Sequence, residues 1–248
     1  NVSAGVRYEH LVYNYYEYDV KDDDACKIYD GFHPSAAIQY DGENVQIEFT
    51  YRNIITRPNF SALSSSISYV NPYCYEGGNP YLKPQYTNRF SISAMFSGVS
   101  IVADYNRQQS PFELTTTMLN GNDSIFYAQW KNVLDYDYFL IAASYHKKIG
   151  LWSPTIDIQW YKQNLEYNGV KHSKPIFEAS FENKFNVTDK LYAGCDFTYN
   201  TKGDRYFCLY SEDWECDMYV IKTFLDGALT TKFQVDNVLN SSKYKRNG

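Results

Sequence analysis

The feature that most constrains this chain is strict alternation of apolar and polar side chains. Val45, Ile47, Phe49 and Tyr51 alternate with Gln46, Glu48, Thr50 and Arg52. Phe90, Ile92, Ala94 and Phe96 alternate with Arg89, Ser91, Ser93 and Met95. The pattern returns at Val99–Tyr105, Phe177–Phe181, Leu191–Tyr199 and Leu229–Val235. Successive side chains of a strand point to opposite faces, so a two-residue period gives each segment one apolar and one polar face. No segment shows the 3.6-residue period of an amphipathic helix. No apolar run approaches the roughly 18 to 20 residues of a membrane-spanning helix. Aromatic residues make up 18% of the 248 residues, with 26 Tyr, which suits a pleated surface. A formal charge of −6 argues against a general nucleic-acid binder, which would show a basic face.

The alternation predicts an all-β fold, an antiparallel up-and-down meander of about eleven strands: 2–18, 32–40, 44–54, 87–96, 99–119, 124–147, 153–168, 174–186, 191–200, 216–224 and 228–236. Pro111, which cannot donate to a ladder, is expected to bulge the fifth. The stretch 205–211 reads equally as loop or strand extension. Two classes of connection take turns along the chain. Turns 41–44, 97–98, 148–152, 187–190 and 225–227 are short. Connections 19–31, 55–86, 169–174 and 201–215 are mostly longer, and the tight turn 120–123 belongs with them because it caps two long strands. Short turns at one end and long loops at the other are the pattern of an outer-membrane β-barrel. A soluble sandwich also alternates. Tyrosines clustered near strand ends (13, 15, 16 and 18; 69, 73 and 75) suit an interfacial girdle instead.

Three stretches add a resemblance. YRNIITRPNFSALSS (51–65) resembles a strand end and loop opening of TonB-dependent outer-membrane receptors. EGGNPYLKPQYTNRFSIS (76–93) resembles their G-N-P-x-L-K-P-E signature, with Gln85 in place of the usual Glu. KTFLDGALTTKFQVDNVLNSSKY (222–244) is similar to their penultimate strand, with Ala228 where Lys is common. QWKNV (129–133) echoes a further W-x-N strand. The resemblance implies a 22-stranded barrel, with a plug domain in its lumen and a segment that engages the TonB system. It also implies that residues 1–248 are a fragment of one β-barrel domain, without the plug and the last strand. The start at Asn1, inside a strand pattern, fits an internal piece of a longer protein.

Local features carry less. Pro80, Pro84 and Gly77-Gly78 read as a device that shapes a long loop. Asp22-Asp23-Asp24 lacks the Gly and distal Glu of a calcium loop and reads as a solvated turn. His10, His33, His146 and His172 are scattered, with no metal-ligand spacing. No nucleophile motif is present, so no catalytic, cofactor or metal residue is assigned. Among the five cysteines, Cys195 and Cys208 would lie opposite in a hairpin if the chain turned near 201–204. They are read as two thiols on the apolar face, with a disulfide as the alternative.

The expected function is outer-membrane transport, by the wall and loops of a TonB-dependent receptor that takes up a bulky nutrient, a metal chelate or a glycan. Expected partners are membrane lipid, the plug domain, the TonB system and an unidentified small-molecule or glycan ligand, with no nucleic acid. Tyr69, Tyr73 and Tyr75 are the ligand-contact candidates, in the longest and most aromatic loop. The alternatives are a soluble secreted β-protein that binds glycans and an outer-membrane enzyme, for which no site constellation is visible.

Overall fold

The computed structural model describes residues 1–119, 122–241 and 246–247. Its main sheet is a sequential antiparallel meander of β1 (Val2–Tyr13), β4 (Lys27–Asp41), β5 (Val45–Thr56), β8 (Gln85–Phe96), β9 (Val99–Gln109), β12 (Tyr136–His146), β13 (Trp152–Tyr167), β15 (Ile176–Thr188), β16 (Leu191–Asn200), β19 (Asp213–Phe224) and β20 (Leu229–Val235). A short strand, β14 (Val170–His172), adds to β13. The sheet is open, with β1 and β20 at its edges. Consecutive connections fall at opposite ends of an antiparallel meander. The turns 42–44, 97–98, 147–151, 189–190 and 225–228 therefore share one end, and the long loops share the other.

The register sets the faces. Phe90 stands opposite Tyr105, Ile92 opposite Ala103, Ala94 opposite Ile101 and Phe96 opposite Val99. Ile92, Ile141 and Ile158 on this apolar face are 50%, 47% and 41% exposed, so no layer of the described residues covers it. Glu178, Glu182 and Lys184 lie on the other face from Phe177 and Phe181, as the two-residue period requires. Towards the long-loop end, the apolar face finishes in an aromatic row that crosses four strands. Its ring centroids are 4.8 Å apart for Tyr51–Phe90, 6.2 Å for Phe90–Tyr105 and 4.8 Å for Tyr105–Phe139. Beyond that row the same face turns polar: Asn53 donates to Asn88 at 2.9 Å, Arg107 pairs with Asp137 at 3.5 Å, and Asn164 donates to Asp137 at 2.9 Å.

Several expected boundaries move. The first strand ends at Tyr13 and the second begins at Lys27, because β1 and β4 stay paired to the Tyr13–Lys27 register. The loop between them carries a small hairpin of β2 (Tyr16–Glu17) and β3 (Val20–Lys21). The expected strands 99–119 and 124–147 each break in two. Ser110 adopts φ 50° and Pro111, fully buried, offers no N–H, so the chain leaves the sheet instead of bulging within it. It continues as β10 (Phe112–Leu119) and β11 (Asn122–Asn132), while residues 120 and 121 of the expected turn lie outside the described residues. These two strands join β6 (Ile67–Asn71) and β7 (Cys74–Gly77) in a four-stranded sheet whose β11–β7 pair is parallel, against the expected antiparallel rule. The ambiguous stretch 205–211 is a hairpin of β17 (Gly203–Arg205) and β18 (Cys208–Tyr210), paired further with β21 (Arg246–Asn247). It turns at 206–207, so Cys208 stands opposite Arg205 and not Cys195. The thiol in contact with Cys195 is that of Cys216, with sulfurs 3.7 Å apart.

The long loop 57–84 is fixed by motifs far apart in sequence. Asn59 caps the single helical turn α1 (Phe60–Leu63), accepting from the Ala62 N–H at 2.8 Å. Ala62, Leu63 and Leu82 form a buried cluster against Tyr13, Phe112 and Trp130. Asn79 donates from its backbone to the Ala62 carbonyl at 2.6 Å and from its side chain to the Trp130 carbonyl at 3.2 Å. Asn132 accepts from the Lys83 N–H at 2.9 Å and donates to the Lys83 and Ser110 carbonyls at 3.0 and 2.8 Å. The G-N-P-x-L-K-P signature and the W-x-N segment are thus two halves of one staple. Gly78 has no room for a side chain: a Cβ would stand 2.3–2.7 Å from the carbonyl oxygens of Ser64, Ser61 and Ala62.

Two substitutions check this arrangement. Ile92→Arg, in the middle of the apolar face, should lower stability in a bilayer by about 2–4 kcal/mol, while Ser93→Arg on the polar face should cost far less. Equal losses in urea titration of liposome-folded protein would contradict the face assignment. Gly78→Ala should cost about 1–3 kcal/mol through overpacking and expose 57–84 to protease, with the main sheet left folded. Unchanged proteolysis of that loop would show that the staple does not hold it.

Candidate functional site

Features able to contact a ligand gather at the long-loop end. Tyr69 on β6 and Tyr75 on β7 are register partners, with ring centroids 5.7 Å apart in an edge-to-face arrangement. Tyr73 sits in the turn between those strands and is 64% exposed. Its backbone is held on both sides: its N–H donates to Asn71 Oδ1 at 2.9 Å, and its carbonyl accepts from the Phe126 N–H at 2.8 Å. The three tyrosines read from sequence therefore lie on one hairpin, with Tyr73 at the tip. Nearby, Tyr81 donates to Asp22 at 3.4 Å, and that carboxylate pushes the Tyr81 phenol up, so it stays a neutral donor. Asp22 also accepts from the N–H groups of Asp24 and Ala25, at 3.0 and 3.3 Å, so the acidic run is spent on shaping its own turn.

A second aromatic group, which sequence reasoning missed, lines the polar face of β12 and β13 at the same end. Ring centroids are 6.4 Å apart for Tyr136–Tyr138 and 5.6 Å for Tyr138–Tyr161. Gln163 is fully buried behind them and uses its whole amide. It accepts from Tyr161 Oη at 2.9 Å and from the Tyr206 N–H at 3.0 Å, and donates to the carbonyls of Tyr206 at 2.7 Å and His172 at 3.1 Å. That clamp folds the β17–β18 turn over the polar face and holds Tyr206 at φ 52° with half its surface exposed. Arg205 bonds Glu178 at 3.1 Å, and its guanidinium lies 5.3 Å from the centre of the Tyr161 ring. On the adjoining strands Arg89 bonds Asp104 at 2.5 Å. The aromatic residues 206 and 207 in a stretch read as loop or strand were the one sequence signal for this group.

Both groups combine aromatic rings with hydrogen-bonding side chains. Tyr69, Tyr73 and Tyr206 present exposed phenol rings, whereas Tyr136 and Tyr161 are buried; Arg205 and Arg89 are each paired with a carboxylate while keeping N–H groups to donate. Below them the polar face forms a groove of about 420 Å³ lined by Ser144, Asp157, Gln159, Glu178, Ser180 and Thr198 among others. Among the described residues no group of three His, Cys, Asp or Glu side chains is placed to hold a metal ion. His10 instead pairs with Asp30 at 2.6 Å, and His33 is buried against Asn53 at 2.8 Å.

Comparison with known proteins follows the same lines. The siderophore receptor PirA of Pseudomonas aeruginosa superposes with a TM-score of 0.69 at 13% identity, over 88% of this chain and 40% of that one. The ferric enterobactin receptor of Pseudomonas aeruginosa gives 0.66 at 14%, over 96% and 37%. The PirA receptor of Acinetobacter baumannii gives 0.59 at 14%, over 85% and 37%. The chain thus spans at most about two fifths of these receptors, and likeness at such identity is one of fold. No curated protein matches the chain. The family model described as the outer membrane protein beta-barrel family matches residues 1–248, from first to last. With its meander, its uncovered apolar face and that match, the chain belongs to the outer membrane β-barrel family.

Proposed function

We propose that this chain is barrel wall and extracellular loops of a TonB-dependent receptor that takes up a bulky nutrient, a metal chelate or a glycan. A transport role in the outer membrane is what the family and its receptor-like fold support. The observation that carries the finer reading is the gathering of two aromatic groups, Tyr69/Tyr73/Tyr75 and Tyr138/Tyr161/Tyr206, at the end where all the long loops lie. One group stands on the loop layer and the other on the polar face below it, which suits capture followed by passage along the wall. In this reading the strands that close the barrel, the plug and the TonB-binding segment belong to other parts of a longer protein. Edge strands β1 and β20 need such neighbours, because unpaired backbone groups are not tolerated in hydrocarbon. A soluble glycan-binding protein would need a second layer over the apolar face, and the described residues supply none.

Sidedness and recognition are checked together. An epitope inserted at Tyr73 should be detected by antibody on intact cells, and one inserted between Gly42 and Glu43 only after the outer membrane is opened. A host lacking the gene, complemented with the full-length protein, is then grown on a panel of iron chelates and glycans. Tyr73→Ala and Tyr206→Ala should each weaken uptake of the supported nutrient about tenfold, which corresponds to about 1.4 kcal/mol per lost contact. Surface exposure of the Gly42 epitope, or wild-type uptake by both variants, would overturn the proposal.

A further inference from the structure

A like-charge pair lies between β16 and β19 of the main sheet. There the ladder sets Asp196 directly opposite Asp217, and β15 sets Glu182 opposite Asp196 from the other side. Like charges facing each other across strands are destabilising. Asp196 Oδ1 is buried with no hydrogen-bond partner among the described residues, while Asp217 accepts from the Asn237 N–H at 2.7 Å. On the reverse face, the pairs on either side of Asp196–Asp217 are Cys195–Met218 and Phe197–Cys216. Cys195 and Cys216 are therefore diagonal neighbours that bracket the repulsive pair. Their sulfurs are 3.7 Å apart, both on the apolar face among Ala193, Phe197, Met218 and Val220.

We propose that Cys195 and Cys216 are a disulfide site, oxidised before the strands enter lipid, which clasps β16 to β19 where the two aspartates push them apart. The electron acceptor is a disulfide-bearing oxidoreductase of the compartment the chain crosses on its way to the outer membrane. The Cys195 thiolate attacks the acceptor's disulfide, forms a mixed disulfide and releases one acceptor sulfur as a thiolate. The Cys216 thiolate then attacks Cys195 Sγ and displaces the second acceptor sulfur. Two electrons pass to the acceptor, whose sulfurs take up the two protons the cysteines gave up. The order of events follows from placement. Thiolates form in water, and once β16 and β19 are embedded, both sulfurs face hydrocarbon. The bond closes a loop that carries the β17–β18 hairpin, so it also limits how far the Tyr206 turn can move with a slipping strand.

The test uses the full-length protein isolated from outer membranes without reductant. Denatured protein is alkylated with iodoacetamide, reduced, treated with N-ethylmaleimide and mapped by mass spectrometry. Cys195 and Cys216 should carry the second label, and the unreduced digest should contain their two peptides joined. Iodoacetamide on both, or Cys195 joined to any other cysteine, would overturn the proposal. The clasp is read by hydrogen exchange in detergent. Reduction should speed exchange at 195–197 and 216–218 severalfold, and Asp196→Asn should shrink that effect. The same acceleration with and without the Asp196 charge would overturn the role assigned to the bond.

Discussion

Everything in this molecule depends on satisfying backbone N–H and C=O groups where no water can reach them. An antiparallel ladder does this strand by strand, and side chains are then free to differ on the two faces. That is why the apolar face can be left uncovered, with Ile92 and Ile141 half exposed, in a protein whose ordinary buried core is small. The burial that soluble proteins place in a central core is found here mainly at the long-loop end, around Leu63, Leu82, Tyr136 and Leu165. Lipid takes the place of the missing layer.

The loop layer follows the opposite logic. Chain that leaves the ladder meets water and must be ordered by its own contacts. Loop 57–84 does so by borrowing from β11: Asn79 reaches the Trp130 carbonyl, and Asn132 brackets Lys83. The β17–β18 hairpin does so through the buried Gln163 amide. In both cases one carboxamide side chain satisfies several backbone groups, which converts a long connection into a rigid platform for exposed tyrosines. A platform of this kind presents rings without losing much conformational freedom on binding.

The two levels were unequally legible in the sequence. Alternation through Phe90–Phe96 and Val99–Tyr105 fixed both strand type and facing, because the period of two leaves no third choice. The shaping role of Gly77, Gly78, Pro80 and Pro84 was also readable, since those residues act through their own backbone; Gly78 proves to be the tight point. What could not be read depends on long-range partners. Strands 99–119 and 124–147 looked continuous because β10 and β11 alternate as barrel strands do; only Ser110 at φ 50° and its neighbours show the departure. The parallel β11–β7 pair joins segments some fifty residues apart. The thiol that contacts Cys195 was misread for the same reason: it depends on where the 201–212 loop turns, and the loop consumes more residues than a tight hairpin would.

The central claim is that one face of the meander meets lipid and the other does not. A nitroxide scan along β9, with single labels at each position from Val99 to Tyr105 in liposome-embedded full-length protein, tests it most directly. Collision with oxygen, which concentrates in hydrocarbon, should peak at Val99, Ile101, Ala103 and Tyr105. Collision with a polar nickel chelate should peak at Ser100, Val102 and Asp104, out of phase by one residue. Flat profiles, or the two quenchers rising and falling together along the strand, would contradict the account.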